Sequence, residues 1–120
     1  MNTTVSEAVE LAKGLVASLN EVPEDVKLVV APPFTNLVPV SDVISGTSIA
    51  LSSQNCADQE KGAYTGEVSA KMVKSVGCSY VILGHSERRE YYGETSEKLV
   101  KKIKLALGEG LSPIFCIGEK

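Results

Sequence analysis

The chain has 120 residues, 43% of them hydrophobic, and a formal net charge of −3 from 15 acidic and 12 basic side chains. This composition predicts one soluble domain over residues 1–120 and excludes a disordered chain. The charge gives no reason to expect nucleic acid or a membrane surface as a partner, and no apolar run reaches the roughly 20 residues that a membrane-spanning helix needs. The cysteines Cys56, Cys78 and Cys116 do not have metal-site spacing, so buried free thiols in a reducing cytoplasm are expected.

The first predicted element is an amphipathic helix that begins after Thr4. Thr4 and Glu7 have the spacing of a capping box, in which each side chain bonds the backbone N–H of the other residue. Apolar residues then recur at helical spacing as far as Leu19, and the pattern ends near Pro23.

Apolar segments separated by amphipathic segments then predict a repeated strand–helix pattern. Helices are expected between the strands, with Thr35 capping the first, Gly77 ending the second, and Thr95 or Ser96 starting the third. The predicted strands are Val26–Ala31, Ile49–Ser53, Tyr80–Leu83 and Ile114–Ile117.

Strands that are joined by crossover helices run parallel, and helices must cover the sheet. Two α/β architectures satisfy this pattern: a doubly wound sheet, or four parallel strands forming an arc of a (βα)8 barrel. In both, functional residues gather at the carboxyl ends of the strands. Because a chain that begins with a helix and stops after a strand would leave sheet edges open, we expect it to be part of a larger fold.

The segment after the third predicted strand contains the main candidate catalytic residue, His85. Gly84 lets the chain turn, and Ser86 is expected to cap a short helix whose amides point near His85. A positive helix end disfavours imidazolium, so His85 is expected to be neutral and to donate a hydrogen bond to a developing enolate oxygen. The competing interpretation is a strand-end histidine that is bonded to the backbone and has no catalytic role.

Other charged residues have less specific interpretations. Glu87 is expected to pair with Arg88 or Arg89 rather than act as an acid or base, and Glu119 has the same ambiguity. No glycine-rich phosphate-binding fingerprint is present. Four lysines of the last helix are expected to form a largely solvated face: Lys98, Lys101, Lys102 and Lys104.

Six segments resemble successive signatures of the triosephosphate isomerase family, in the family's order and across nearly the whole chain. The Gly-His-Ser-Glu-Arg-Arg run at 84–89 is quite specific by itself, and the complete series is very specific. The segments are Val30–Phe34, Gln54–Cys56, Gly62–Glu67, Leu83–Arg89, Tyr92–Glu94 and Cys116–Glu119.

This resemblance implies a partial (βα)8 TIM barrel without cofactor or metal. It implies the interconversion of dihydroxyacetone phosphate and glyceraldehyde 3-phosphate through an enediolate, in glycolysis and gluconeogenesis, by a cytoplasmic homodimer. His85 matches the family's electrophile, Ser86 and Glu87 match its supporting neighbours, and Cys116 matches a buried cysteine near the site. Residues that match the dimer loop or its supports are Tyr64, Thr65, Gly66, Glu67 and Arg88.

The resemblance also implies an internal fragment, with helix 1 and strands two to five present and strands one and six to eight absent. The catalytic lysine would precede Met1, and the base glutamate and the phosphate loops would follow Lys120. Asn2 would not be the family's active-site asparagine. The segment alone is therefore expected to be inactive. The alternative hypothesis is a non-catalytic half-barrel that serves as a structural or assembly module.

Overall fold

The structure is a computed structural model that describes residues 1–118. Within them, helices and strands alternate along the chain, with short 3₁₀ turns at Leu19–Glu21 and Phe34–Asn36. The helices are α1 (Val5–Ala17), α2 (Leu37–Ile44), α3 (Ala70–Ser75), α4 (Ser86–Tyr91) and α5 (Ser96–Gly108). The strands are β1 (Val29–Val30), β2 (Ala50–Ser53), β3 (Tyr80–Leu83) and β4 (Ser112–Phe115).

The strands form a parallel sheet in the order β1-β2-β3-β4, so each strand lies beside the next one in the sequence. A doubly wound sheet would contain a reversal of strand order, and none occurs among these strands. Of the two predicted architectures, the sequential order therefore fits the barrel arc. The carboxyl ends of β1, β2 and β3 lie along one edge, which brings the segments that follow them together.

β3 occupies its predicted position and β2 begins one residue after the predicted Ile49, but β1 is shorter than the predicted Val26–Ala31. The N–H of Val26 bonds the carbonyl of Pro23 in a turn, so the chain is not yet extended there. Val29 and Val30 are the residues that align with β2. Apolar composition located this strand, and its pairing set its length.

β4 begins two residues before the predicted Ile114 and ends two residues before the predicted Ile117. The N–H of Ser112 bonds the carbonyl of Ser79 at 2.8 Å, which starts the pairing with β3 at Tyr80. The pairing ends at Phe115, opposite Leu83.

Helix caps account for most of the helix boundaries. Thr4 and Glu7 form the predicted capping box. Hydrogen bonds from the Thr4 N–H and, to a lesser extent, from its hydroxyl lower the pKa of the Glu7 carboxyl. Thr95 accepts the Lys98 N–H at 3.2 Å and starts α5. Thr35 does not cap α2 as predicted, because its hydroxyl donates to the side chain of Asn36 within the 3₁₀ turn.

The core packs the strands against α1, α2, α3 and α5. Each large aliphatic side chain that is buried in this way contributes about 1.5–3 kcal/mol. Asn36 is a fully buried polar residue, and its amide donates to the carbonyl and hydroxyl of Thr3, both at 3.1 Å. The largest apolar side chains that are fully buried are Leu51, Leu83, Leu99, Leu111, Val73 and Val81.

The burial of two residues, Lys102 and Cys116, differs from the sequence-based predictions. Lys102 is not on a solvated face, because its side chain is only 3% exposed. Cys56 and Cys78 are buried as expected, but Cys116 is partly exposed. Burial raises the pKa of both buried thiols to about 11.

None of the helices within residues 1–118 has the length and apolar composition needed to cross a membrane.

Candidate active site

His85 lies directly after β3, at the carboxyl edge of the sheet, as predicted. The turn that places it there requires glycine at position 84, where φ is +78°. A Cβ atom on Gly84 would lie 2.8 Å from Arg89 Nη2 and 3.1 Å from the carbonyl oxygen of Cys116. The His85 side chain is 48% exposed, so its ring is accessible from solvent.

His85 caps α4 itself, so the prediction that Ser86 is the cap was wrong. The imidazole Nδ1 accepts the N–H of Glu87 at 3.2 Å, and Ser86 is the first residue of the helix. A ring nitrogen that accepts a hydrogen bond carries no proton. This bond therefore places the proton of a neutral ring on Nε2, where it is available for donation.

Glu87 lies beside the histidine rather than in the predicted pair with an arginine. Its carboxylate Oε2 is 3.7 Å from His85 Nδ1, and its side chain is 73% exposed. Arg88 instead bonds Glu94, and Arg89 bonds backbone carbonyls. Glu119, the other candidate carboxylate, lies outside the described residues.

Arg89 clamps the turn that carries His85. Its Nε and Nη2 atoms donate to the carbonyls of Gly84 and Cys116, each at 2.6 Å, and its guanidinium lies 5.4 Å from the centre of the Phe115 ring. The ends of β3 and β4 are thereby tied to the helix that follows His85. Sequence reasoning missed this role because an arginine so close to a glutamate suggests an ion pair.

Asn55, Arg88, Glu94 and Lys102 form a buried charge network. It joins α4 and α5 to the segment that follows β2. Glu94 Oε2 accepts from Lys102 Nζ and, at 3.0 Å, from Arg88 Nε; Lys102 Nζ also donates to Asn55 Oδ1 at 2.9 Å. The Glu94 side chain is only 2% exposed. Its burial raises the pKa of the Glu94 carboxyl, but the hydrogen bonds and charges of Lys102 and Arg88 outweigh burial and lower the pKa.

The sequence-based predictions did not include this network, although the sequence contains one signal for it. Lys102 is at helical spacing from Leu99 and Ala106, both fully buried, so it lies on the apolar face of α5. A lysine in that position needs a buried carboxylate partner. Nothing local identifies that partner as Glu94.

His85 faces an open cleft of about 560 Å³. Asn55 and Arg88 of the network line the same cleft, so the histidine and the network meet at one surface. Within residues 1–118, no group of three or more histidine, cysteine, aspartate or glutamate side chains is arranged to hold a metal ion. Further residues at the cleft are Met1, Asn2, Phe34, Gln54, Glu87 and Tyr92.

The long connection after β2 has a packed base and an exposed tip. Gln54 Nε2 donates to the carbonyl of Ala31 at 2.8 Å, and Cys56 is fully buried, so the base of this connection packs against its own chain. The loop tip, defined as residues 60–67, is exposed throughout, and it contains Thr65. The N–H of Glu67 bonds the carbonyl of Tyr64 at 3.0 Å and closes the turn at the tip.

The fold and the site define a class: a segment of a parallel (βα) barrel with an accessible histidine at the carboxyl edge of its strands. The chain belongs to the triosephosphate isomerase family, whose model matches residues 1–120. This match confirms the family predicted from the sequence motifs. It favours the enzyme hypothesis over a non-catalytic structural module.

Individual relatives agree with the family match. Triosephosphate isomerase of Bacteroides fragilis is 53% identical over 119 residues, which are 99% of this chain and 47% of the relative. Triosephosphate isomerase of Porphyromonas gingivalis is 52% identical over 119 residues, again 99% of this chain and 47% of the relative. The crystal structure of triosephosphate isomerase from Bartonella henselae superposes with a TM-score of 0.91 at 35% identity, over 100% of this chain and 49% of that one. The chain thus spans about half the length of these relatives.

Proposed function

We propose that this chain forms the His85-bearing part of an enzyme that interconverts dihydroxyacetone phosphate and glyceraldehyde 3-phosphate. The reaction is a proton transfer through an enediolate, and the pathways are glycolysis and gluconeogenesis in the cytoplasm. The observation that carries the proposal is the geometry of His85. Its ring follows β3 at the carboxyl edge and faces the cleft, and Nδ1 accepts the Glu87 N–H while Nε2 is left as the donor.

A neutral imidazole donor suits this chemistry. Removing a proton from the carbon beside a carbonyl moves negative charge onto the carbonyl oxygen, and a fixed N–H donor stabilises that charge. His85 Nε2 would bind this oxygen. Ser86 and Glu87 would order the ring: Ser86 begins the helix, and Glu87 supplies the N–H that holds Nδ1.

The base and the catalytic lysine would come from parts of the complete enzyme outside residues 1–120, as the family resemblance implies. Without a base there is no enediolate for His85 to stabilise, so residues 1–120 alone are expected not to turn over substrate. The proposed reaction needs neither cofactor nor metal, because the base moves the proton and the imidazole stabilises the charge.

We further propose that the complete enzyme is a homodimer and that Tyr64, Thr65, Gly66 and Glu67 of the loop tip contact the partner. The exposure of the whole tip supports this proposal, with Tyr64 48% exposed. Arg88 supports the same loop from its base, through Glu94, Lys102 and Asn55. The net charge of −3 gives no support for a nucleic-acid or membrane partner.

The test is a chimera in which this chain replaces the matching 119-residue segment of the Bacteroides fragilis enzyme. We expect the chimera to isomerise glyceraldehyde 3-phosphate and the isolated 120-residue chain to be inactive. A folded but inactive chimera would contradict the proposal. Activity of the isolated chain would show that the base lies within residues 1–120.

A further inference from the structure

The buried charge network connects two segments that flank the cleft. Asn55 follows β2 and belongs to the base of the loop, whereas Arg88 lies on α4, the helix that His85 caps. Lys102, from α5, donates to Asn55 and to Glu94, and Glu94 accepts from Arg88. A single ammonium group thus joins the loop base to the histidine helix.

Burial of these charges costs free energy that a hydrophobic pair would not cost. Lys102 and Glu94 have side chains that are 3% and 2% exposed, and removing an ion of this size from water costs several kcal/mol. Glu94 Oε1 is also buried, and it has no hydrogen-bond partner among residues 1–118. Stability alone does not account for such an arrangement.

The bonds do, however, fix positions accurately. Lys102 Nζ can satisfy Asn55 and Glu94 together only when the two segments are at one separation, and Arg88 passes that constraint to α4. His85 is held in turn by the N–H of Glu87, which precedes Arg88. A shift of α4 would therefore move Nε2 relative to a bound carbonyl, and displacement by about 1 Å can cost about a hundredfold in rate.

We propose that Lys102 is a positioning residue for the isomerase reaction: its ammonium locks the loop base at Asn55 to the helix capped by His85. This inference rests on the proposed function of His85. Lys102 touches no reacting atom and acts through Glu94 and Arg88.

The first test is Lys102→Met in the active chimera, with Lys101→Met as the matched control on the exposed face of α5. Lys102→Met keeps the apolar stem and removes the ammonium. We expect kcat to fall about tenfold or more with KM changed by less than about twofold, because binding contacts are retained and orientation is lost. Lys101→Met should change neither. Unchanged kcat in Lys102→Met would overturn the proposal.

A double variant separates positioning from charge neutralisation. Lys102→Met combined with Glu94→Gln leaves no unpaired buried carboxylate, so it should fold and recover most of the melting temperature even where Lys102→Met alone does not fold. The link to Asn55 remains broken, so kcat should stay low. If kcat recovers together with the melting temperature, Lys102 is only a counter-ion and the proposal is wrong. Loss of activity in the unsubstituted chimera would instead contradict the proposed function itself.

The 120-residue chain provides a spectroscopic readout because it contains one histidine. Its ring signals in NMR spectra report the Nδ1 hydrogen bond to Glu87 directly. We expect Lys102→Met to shift and broaden these signals and Lys101→Met to leave them unchanged. Identical ring spectra in folded wild-type and Lys102→Met chains would contradict the coupling.

Discussion

The buried charge network and the loop tip are both connected to the base of the loop that follows β2, but their exposure to solvent is opposite. Glu94 and Lys102 are nearly inaccessible and bonded to each other, whereas every residue from Glu60 to Glu67 is exposed. Asn55, at the base of the same loop, connects one region to the other. The difference indicates that the network holds the chain's own geometry, while the tip is available for contacts between molecules.

The largest expected effect is the loss of stability in Glu94→Ala. This change removes the acceptor of both Lys102 and Arg88 and leaves a buried ammonium without a counter-charge. We expect the free energy of unfolding to fall by about 3–5 kcal/mol. Urea denaturation measures it, with Glu87→Ala as the exposed-carboxylate control at less than about 0.5 kcal/mol. Similar losses in the two variants would remove the distinction between buried and exposed charges.

Acid should weaken the buried charge network. Lys102 and Arg88 lower the folded-state pKa of Glu94 below the unfolded value of about 4.3, despite the opposing effect of burial. The stabilisation is therefore complete above the unfolded pKa and is lost as the pH falls through the folded pKa. We expect wild-type stability to decline more steeply below about pH 4.3 than that of Glu94→Gln. Parallel pH profiles would show that Glu94 is not the titrating group.

Substitution at the loop tip should weaken dimerisation and leave the stability of the chain nearly unchanged. Tyr64→Ala is expected to change the unfolding free energy of the chain by less than about 0.5 kcal/mol, because the side chain is exposed. In the chimera it should raise the dimer dissociation constant about tenfold or more, since aromatic residues often dominate interfaces. Sedimentation velocity measures the second effect. A destabilised chain with unchanged dimerisation would assign Tyr64 to the fold instead.

Thiol labelling gives the smallest but most local comparison. Cys116 is partly exposed, whereas burial raises the pKa of Cys56 and Cys78 to about 11, so at pH 8 we expect only Cys116 to react rapidly. Cys56 lies close enough to Lys102 and Glu94 to feel their charges. Glu94→Ala should therefore accelerate labelling of Cys56 more than that of Cys78, and equal acceleration would indicate global loosening.

Local features of the fold could be predicted from the sequence because their causes are local. The capping box at Thr4 needs only a residue three positions away, and the glycine before His85 is required by its own turn. The ends of β1 and β4 could not be predicted, because the neighbouring strand decides which residues pair.

The candidate site was predictable in position but not in its bonding. His85 was placed correctly at the strand end, yet its own Nδ1, rather than Ser86, caps the helix. Lys102 was predicted on a solvated face because of its charge. Its helical spacing from Leu99 and Ala106 instead indicates the buried face of α5. The contact of Lys102 with Asn55 spans 47 residues, and no short-range pattern encodes it.

The proposed role of His85 is to donate a hydrogen bond to the reacting carbonyl from a fixed position. The direct measurement is kcat of His85→Gln in the chimera, together with its melting temperature. We predict a fall in kcat of about 10²–10³-fold with the melting temperature nearly unchanged, because a transition-state donor is lost while the partly exposed ring contributes little to the core. Unchanged kcat in a folded His85→Gln chimera would contradict this role for His85.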